Sequence, residues 1–269
     1  MEKITAKELK FNEDENNFST GFDEIDSCLK YIDKGSIITI GGRPAMGKSS
    51  FAVSILNNLL EQGKKIFYYS GGINKSRLMK RIIANRLKLN YFETEIKQVT
   101  KRSLFNEAIK YYTDKEFYIE DKVNFSVSDI EEEIKKNPPD IVFIDYIQLI
   151  KMPKAPNFTD SINIAVQEIK RIAHQTGVIF VLLTQLSRAL EQRTDKRPLP
   201  SDIRSSSLLE ELSDVIMMIY RDSYYNIEDE SNRHRAEINI CKNDFGPLGI
   251  VWMRFENGYF YEPLHAVDF

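Results

Sequence analysis

Cysteine, histidine, long hydrophobic runs and excess charge of one sign are all scarce in this 269-residue sequence. Its two cysteines, Cys28 and Cys241, lack the spacing of metal ligands, so we interpret them as reduced thiols of a cytoplasmic protein. The 37 basic and 40 acidic residues give a formal net charge of −3, so contacts with a phosphate backbone must come from local basic loops. No run approaches the roughly 20 apolar residues of a membrane span, so we expect no membrane partner.

The sequence does contain short apolar runs that alternate with amphipathic stretches, a pattern typical of βαβ units. The predicted strands are 36–40, 65–70, 117–120, 140–146, 178–184, 214–220, 236–241 and 249–256. The predicted helices are 49–62, 74–89, 103–112, 161–176 and one that Ser126 or Ser128 caps and that runs to Lys136. Hairpin turns are predicted at Gly246-Pro247 and Asn257-Gly258. The predicted α/β fold is a central, mostly parallel sheet flanked by helices, with antiparallel strands at its C-terminal edge.

A loop that binds phosphate is predicted between the first strand and the helix that follows it. The pattern G-x-x-x-x-G-K-[S/T] is filled by Gly42, Gly47, Lys48 and Ser49. In this context backbone N–H groups and the helix N-terminus converge on phosphates, so we predict ATP as the ligand. Lys48 would neutralise the outer phosphates and the Ser49 hydroxyl would bind Mg²⁺. The predicted nucleotide-binding residues are Gly42, Arg43, Pro44, Ala45, Met46, Gly47, Lys48, Ser49 and Ser50.

Two further predicted strands end in polar side chains that fit the same site. Asp145 follows a buried apolar strand, where a charge is costly unless something there uses it, and we predict that it holds the Mg²⁺ ion. Gln185 follows the strand 178–184, and its amide could reach the terminal phosphate from the carboxyl end of that strand. We therefore predict catalytic roles for Lys48 and Gln185.

These elements, in this order, resemble the C-terminal RecA-like ATPase domain of DnaB-type replicative helicases over residues 19 to 261. The run 42–49 looks like that family's phosphate loop, with its Arg-Pro and Met, and 144–149 is similar to its metal-site strand. The most specific similarity lies in 185–204, which contains Gln-Leu-Ser-Arg, Glu-Gln-Arg, Asp-Lys-Arg-Pro and Ser-Asp-Ile-Arg. The resemblance implies a RecA-like P-loop NTPase fold in a domain that spans 19–269 after an acidic arm, 1–18.

The resemblance also implies partners and residue roles. Family members form a ring that encircles single-stranded DNA and moves along it by hydrolysing ATP at subunit interfaces, so the implied partners are single-stranded DNA and a second copy or related helicase subunit. Gln185 would sense the γ-phosphate, and Lys242 would reach the nucleotide of the neighbouring subunit. Arg204 and Ser205 fall in the second DNA-facing loop, where backbone amides and basic side chains follow phosphates without reading sequence. The first such loop would be 151–160, for which a plain solvated connection is equally open.

Two positions that carry the chemistry of hydrolysis in that family differ here. The family usually reads Ser-Leu-Glu-Met after the second strand, with the glutamate polarising the attacking water, whereas this chain has Gly72 at the glutamate position. Two residues after the lysine that matches Lys242 the family has an arginine finger, whereas this chain has Asp244. A positioned base contributes roughly 10²–10⁴ in rate and a finger roughly 10³–10⁵, so we expect impaired hydrolysis. Glu120 or Asp121 could replace the missing carboxylate.

Two classes of function therefore stay open at this point. The first is an ATP-driven helicase domain that acts on single-stranded DNA in replication. The second is a weak or inactive paralogue that binds ATP and regulates or joins a helicase ring, in which the nucleotide holds one conformation instead of driving a cycle. The N-terminal collar domain of the family has no counterpart in the arm 1–18, and the linker helix is absent or truncated, which weakens the expectation of a ring.

Overall fold

The computed structural model describes residues 18–90, 99–203 and 207–262, and these form one sheet with helices on both faces. The strands are β1 Ile37–Gly42, β2 Ile66–Ser70, β3 Phe117–Glu120, β4 Ile141–Asp145, β5 Ile179–Gln185, β6 Val215–Tyr220, β7 Arg235–Asn243, β8 Gly249–Glu256 and β9 Tyr259–Tyr261. The helices are α1 Asp23–Leu29, α2 Lys48–Glu61, α3 Lys75–Arg86, α4 Val99–Thr113, α5 Val127–Lys136, α6 Phe158–Thr176 and α7 Ser207–Leu212.

The order of the strands is β3-β2-β4-β5-β1-β6-β7-β8-β9. Neighbours from β3 to β6 are parallel, and the pairs from β6 to β9 are antiparallel. The predicted mostly parallel sheet with antiparallel strands at its C-terminal edge is therefore confirmed. Because β1 lies beside β5, and β5 beside β4, the carboxyl ends of these three strands come together.

Two hydrophobic clusters, one on each face of the sheet, form the core. Helices α1 to α4 contribute to the first cluster, and α5 to α7 contribute to the second. Successive strand residues alternate between them, so that Ile38 and Ile40 of β1 face the first cluster while Ile37 faces the second. Covering both faces explains why β1 and β4 are buried over their whole length and are almost entirely apolar in sequence.

Several predicted boundaries are wrong by a few residues for identifiable reasons. Helix α6 begins at Phe158 and not at Ser161, because the Asn157 side chain accepts the backbone N–H of Asp160 at 2.9 Å and caps the helix there. Helix α3 ends at Arg86 and not at residue 89, since Lys88 adopts a φ of 52° that no helix continues. The short elements α1, α7 and β9 have no counterpart in the prediction.

Other local predictions are confirmed. Ser126, rather than Ser128, caps α5 through a capping box in which Asp129 accepts the N–H of Ser126 at 2.7 Å. The hairpin turn between β8 and β9 has positive φ values at Asn257 and Gly258, as a two-residue turn of this kind requires. Phe18 is buried in the core, so the packed part of the chain begins inside the predicted arm, whose other residues lie outside the described ranges.

An ion pair between a buried carboxylate and a half-exposed arginine ties the segment after β5 to the antiparallel part of the sheet. Glu237 of β7 is 4% exposed, and its two carboxylate oxygens each accept a 2.7 Å hydrogen bond from the Arg197 guanidinium. A bidentate pair of this kind fixes both the position and the orientation of the Arg197 guanidinium. It therefore holds the 186–203 segment against the sheet at the edge where the carboxyl ends of β1 and β5 meet.

We predict that Arg197→Ala lowers the free energy of unfolding by about 3 kcal/mol, because it leaves the buried Glu237 carboxylate without its partner. The measurement is urea denaturation followed by circular dichroism. The exposed pair Arg233–Glu230 is the control, since Arg233→Ala is expected to cost less than about 1 kcal/mol. An equal effect of the two substitutions would contradict the prediction.

Candidate nucleotide site

The loop that joins β1 to α2 has the backbone geometry of a phosphate cradle. Gly47 precedes the first residue of α2 with a φ of 104°, and its carbonyl accepts the first helical N–H, from Phe51, at 2.8 Å. A Cβ at Gly47 would lie 2.9 Å from the Phe260 ring, so both the φ and the space require glycine. The free N–H groups of the first turn of α2 therefore face the loop and can bind an anion.

Lys48 lies at the centre of this loop. Its ammonium group donates to the carbonyl oxygens of Gly42 at 2.8 Å and Arg43 at 3.1 Å, and the side chain is 9% exposed. Burial lowers the pKa of Lys48 to about 8, partly opposed by the negative charge of Asp145. The lysine is thus a largely desolvated cation that is charged at neutral pH and surrounded by main-chain oxygens.

The predicted metal ligands Ser49 and Asp145 come from the first turn of α2 and the end of β4. Asp145 is 6% exposed and accepts a 2.8 Å hydrogen bond from the hydroxyl of Tyr68, whose pKa burial raises so that it stays a donor. No group of three or more acidic, histidine or cysteine side chains that could hold a metal occurs within the described ranges. This donor set fits Mg²⁺, which takes one or two protein oxygens and completes its shell with phosphate and water.

Gln185 ends β5 directly beside the loop. Its register partner on β1 is Gly42, the first residue of the predicted phosphate motif. A second amide, that of Gln148 after β4, donates to the Thr184 hydroxyl at 2.7 Å and accepts the N–H of Gln185 at 3.3 Å. Gln148 therefore links the ends of β4 and β5, a positioning role that the sequence alone did not indicate.

Arg43 connects the phosphate loop to the segment after β5. Its guanidinium donates to the Glu191 carboxylate at 2.8 Å and to the carbonyl of Leu186 at 3.0 Å. The Tyr225 hydroxyl donates to the same Glu191 oxygen at 3.1 Å, and the bond from Arg43 lowers the pKa of Glu191. Arg43 thus acts within its own chain as a brace of the loop.

A pocket of about 440 Å³ beside the loop contains polar groups that the sequence analysis missed. Arg221 follows β6, donates to the carbonyl of Ala45 in the loop at 3.3 Å, and lies 3.8 Å from the centre of the Phe255 ring. Burial lowers the pKa of Arg221 to about 10. The Nε of Arg221 and the hydroxyl of Ser223 are buried without a hydrogen-bond partner in the described part of the chain. A flat polar ligand group beside the loop could accept hydrogen bonds from both the Arg221 Nε and the Ser223 hydroxyl.

Gly72 lies in the turn after β2, exposed to solvent. The hydroxyl of Ser70 donates to the carbonyl of Ile73 at 2.6 Å and closes this turn. The two candidate replacements are held elsewhere, at the end of the edge strand β3. Glu120 accepts the N–H of Lys122, and Asp121 accepts the N–H of Lys75 at the start of α3, each at 2.7 Å. Both carboxylates are thus already engaged by backbone N–H groups.

Lys242 and Asp244 lie at the end of β7, away from the loop of their own chain. The Lys242 ammonium donates to the carbonyl oxygens of Glu210 and Glu211 at the C-terminal end of α7, at 3.2 and 2.7 Å. Asp244 is exposed, and its carboxylate has no partner among the residues that the structure describes. The position that the resemblance assigns to the finger therefore presents a negative charge to solvent.

The residues predicted to contact DNA are described only in part. Arg204 and Ser205 lie outside the described residues. The first predicted loop, 151–160, is a connection from 151 to Asn157 followed by the first turn of α6. Lys151 and Lys154 are exposed there, and the backbone of Lys151 is fixed to the carbonyl of Phe125 at 2.8 Å.

Comparison with known protein families identifies one match over most of the chain. A family model described as the DnaB-like helicase C terminal domain matches residues 17–261. The probable replicative DNA helicase of Trieres chinensis is 31% identical over 253 residues, which are 90% of this chain and 56% of that protein. The replicative DNA helicase DnaB of Geobacillus stearothermophilus is 30% identical over 249 residues, 89% of this chain and 55% of that protein. The chain spans a little over half the length of these curated relatives.

Solved structures give the same result for the fold. One is a DnaB-like replicative helicase studied for its interactions with primase, with a TM-score of 0.85 at 32% identity over 91% of this chain and 61% of that one. Another is the ATPase domain of a second protein, with a TM-score of 0.81 at 32% identity over 93% of both chains. The RecA-like fold is thereby confirmed. None of the helices in the described ranges has both the length and the hydropathy that crossing a membrane needs.

We predict that nucleotide affinity falls above pH 8. Lys48 loses its proton as the pH rises through its pKa of about 8, whereas bound phosphates require the charged form. The dissociation constant for Mg-ATP should therefore be about tenfold larger at pH 9 than at pH 7. Titration at several pH values measures this, with Lys48→Arg as the control whose charge does not titrate. A pH-independent affinity in the wild-type chain would contradict the prediction.

Proposed function

Because the chain belongs to the DnaB-like helicase C-terminal domain family, we propose that it is the ATP-binding domain of a replicative helicase that acts on single-stranded DNA, with an impaired hydrolytic site. One observation carries the proposal. The groups that would bind the nucleotide, at the carboxyl ends of β1, β4 and β5, are all present and mutually braced, while Gly72 and Asp244 stand where the resemblance puts the family's base and finger. Its cytoplasmic location stays a prediction.

The phosphate-binding half is supported by charge and geometry. Lys48 and the N–H groups of the first turn of α2 offer positive potential to the outer phosphates. Ser49 and Asp145 offer the oxygens that would hold Mg²⁺, which would neutralise charge on the β- and γ-phosphates when bound. Gln185 stands beside Gly42, at the position from which an amide can detect the terminal phosphate.

We assign the pocket of Arg221, Ser223 and Phe255 to the base and ribose of the same nucleotide. The guanidinium of Arg221 already lies against an aromatic ring and against the loop carbonyl of Ala45. Its planar face suits stacking on a second flat group, such as a nucleobase. The unpaired Nε and the Ser223 hydroxyl are donors that a base or ribose oxygen would satisfy.

The hydrolytic half is weakened at two points with different physical consequences. Without a carboxylate at Gly72, no side chain of the turn 70–73 can take a proton from an attacking water. With Asp244 at the finger position, a neighbouring subunit would bring a negative charge toward the phosphates of the next one, which opposes the charge that develops in the transition state.

The exposed Asp244 carboxylate favours a second candidate function. A paralogue that binds ATP but turns it over slowly could occupy a helicase ring and regulate it, because bound ATP would hold one conformation at the interface. Hydrolysis separates the two candidates. A working motor should show turnover that single-stranded DNA stimulates, whereas a regulatory subunit should bind ATP tightly without it.

The direct test is steady-state ATP hydrolysis of the purified chain with and without single-stranded DNA, beside a binding titration and a Lys48→Ala control. Tight binding with slow turnover is expected. Rapid turnover that DNA stimulates and Lys48→Ala abolishes would contradict the impaired site. A wild-type chain that binds no ATP would contradict the whole proposal.

We predict that Gly72→Glu raises ATP turnover at least about tenfold, because a positioned base contributes roughly 10²–10⁴. The site can accept the side chain, since a Cβ at Gly72 would meet only Leu149, at 3.6 Å. Combining it with Asp244→Arg should raise turnover further where subunits assemble. Gly72→Gln is the matched control, with the same size and no carboxylate. Equal rates for the glutamate and glutamine variants would count against Gly72 as the missing base position.

We also predict that Arg221→Ala weakens ATP binding about tenfold while leaving the affinity for inorganic triphosphate unchanged, since stacking on one base is worth roughly 1–3 kcal/mol. Equilibrium titration with both ligands measures the difference. Arg171→Ala, on the surface of α6 and among acidic partners, removes the same charge elsewhere and serves as the control. If Arg221→Ala weakened the binding of ATP and of inorganic triphosphate equally, Arg221 would contact the phosphates and not the base.

A further inference from the structure

A groove of about 400 Å³ lies at the edge of the sheet, between β3 and α5. It is separate from the nucleotide loop, because β3 is the outermost strand and three strands stand between it and β1. Helix α5 packs its apolar side, Ile130 and Ile134, in the same cluster as Phe67 of β2, whereas no residue of β3 belongs to that cluster. The face of β3 beside α5 is thus left open.

The floor of the groove is aromatic. Phe67 and Tyr118 are register partners on β2 and β3, with ring centres 5.1 Å apart in an edge-to-face arrangement, and Tyr118 is 48% exposed. Tyr69 follows on the same face and packs against Phe125 at 5.0 Å. An exposed ring of this kind presents a negative π-face to the groove, which attracts cations.

The wall of the groove is acidic. Asp129, Glu132 and Glu133 of α5 recur at helical spacing along it, and Glu120 closes one end. Lys122 and Lys136 are the basic residues of the lining, so four carboxylates face two ammonium groups and the net charge is −2. Asp129 and Glu120 already accept backbone N–H groups, and Glu133 lies 3.9 Å from Lys136. The Glu132 carboxylate has no partner in the described residues.

Tyr69 supplies an independent sign that a ligand belongs here. The residue is only 5% exposed, it lines the groove, and its hydroxyl has no hydrogen-bond partner within the described ranges. Burial and the charges of Glu133, Glu120 and Asp129 raise the pKa of Tyr69, so the hydroxyl stays neutral. The Tyr69 hydroxyl opens on the groove beside these carboxylates without a partner in the described residues, so a donor group in the groove could reach the hydroxyl and a carboxylate together.

We propose that this groove binds an arginine side chain that a partner protein presents on an extended peptide segment. A guanidinium offers five N–H donors in one plane, enough to reach the Tyr69 hydroxyl and a carboxylate together, and its face can stack on Tyr118. Its positive charge complements the net charge of the lining. The backbone of an extended segment can run beside β3, which no described strand covers on its outer side.

The test uses the ¹⁵N-labelled wild-type chain and the peptide acetyl-Gly-Arg-Thr-Arg-Gly-amide, followed by NMR titration. Amide signals of β3 and α5 are expected to shift. The peptide with citrulline in place of arginine, which keeps the shape without the charge, should bind at least about tenfold more weakly. ATP affinity should be the same with and without substitutions in the groove, so the outcome is independent of the proposed function.

Substitutions in the groove test which side chains bind the arginine. The double variant Glu132→Gln/Glu133→Gln should weaken the arginine peptide about fivefold or more, because it removes two negative charges, and Tyr69→Phe about threefold, because it removes an acceptor. Glu228→Gln, which removes one exposed charge from the loop between β6 and β7, should have no effect. Equal affinity for the arginine and citrulline peptides, or an unchanged affinity in the double variant, would overturn the proposal. Spermidine binding as tightly as the peptide would overturn it too, since the site would then recognise a free polyamine.

Discussion

Parallel pairing of β1 with β5, and of β5 with β4, determines where the polar residues of this chain meet. Parallel neighbours end at the same edge of a sheet, and both faces of these strands are covered by helices, so only their carboxyl ends are open to a ligand. Lys48, Asp145 and Gln185 are far apart in sequence and are brought together there. Lys48 and Asp145 are costly groups to bury, which explains why the loop carbonyls and the Tyr68 hydroxyl accompany them as hydrogen-bond partners, while Gln148 accepts the backbone N–H of Gln185.

Those parts of the site whose evidence is local in sequence could be predicted, and those assembled from distant segments could not. The phosphate loop is one continuous pattern, and Asp145 and Gln185 each end an apolar run, so strand periodicity was enough to place them on one edge. Arg221 follows β6 and Phe255 lies in β8, and no short motif links them. Their relation depends on the antiparallel pairing of β6 to β8, which the composition of each strand does not reveal.

Boundaries failed for a different reason, because side-chain caps and backbone φ values decide them and apolar periodicity does not. Asn157 starts α6 one turn earlier than its apolar periodicity suggests, and Lys88 stops α3 early. The departures at Gly72 and Asp244 were visible in sequence only through resemblance, since a glycine in a turn has no chemical signature of its own. The structure adds that Gly72 has room for a side chain, so it is not required there by packing.

Strand β2 connects the two proposed sites. Successive residues of a strand point to opposite faces, so Tyr68 reaches Asp145 beside the nucleotide site while Tyr69 reaches the aromatic and acidic groove. Gly72 follows in the turn directly after the same strand. A ligand in the groove and a nucleotide at the loop would therefore lie on opposite faces of one strand, and any coupling between them would act through β2. Thermodynamic reciprocity then requires that an arginine peptide change ATP affinity by the same factor as ATP changes the affinity for the peptide.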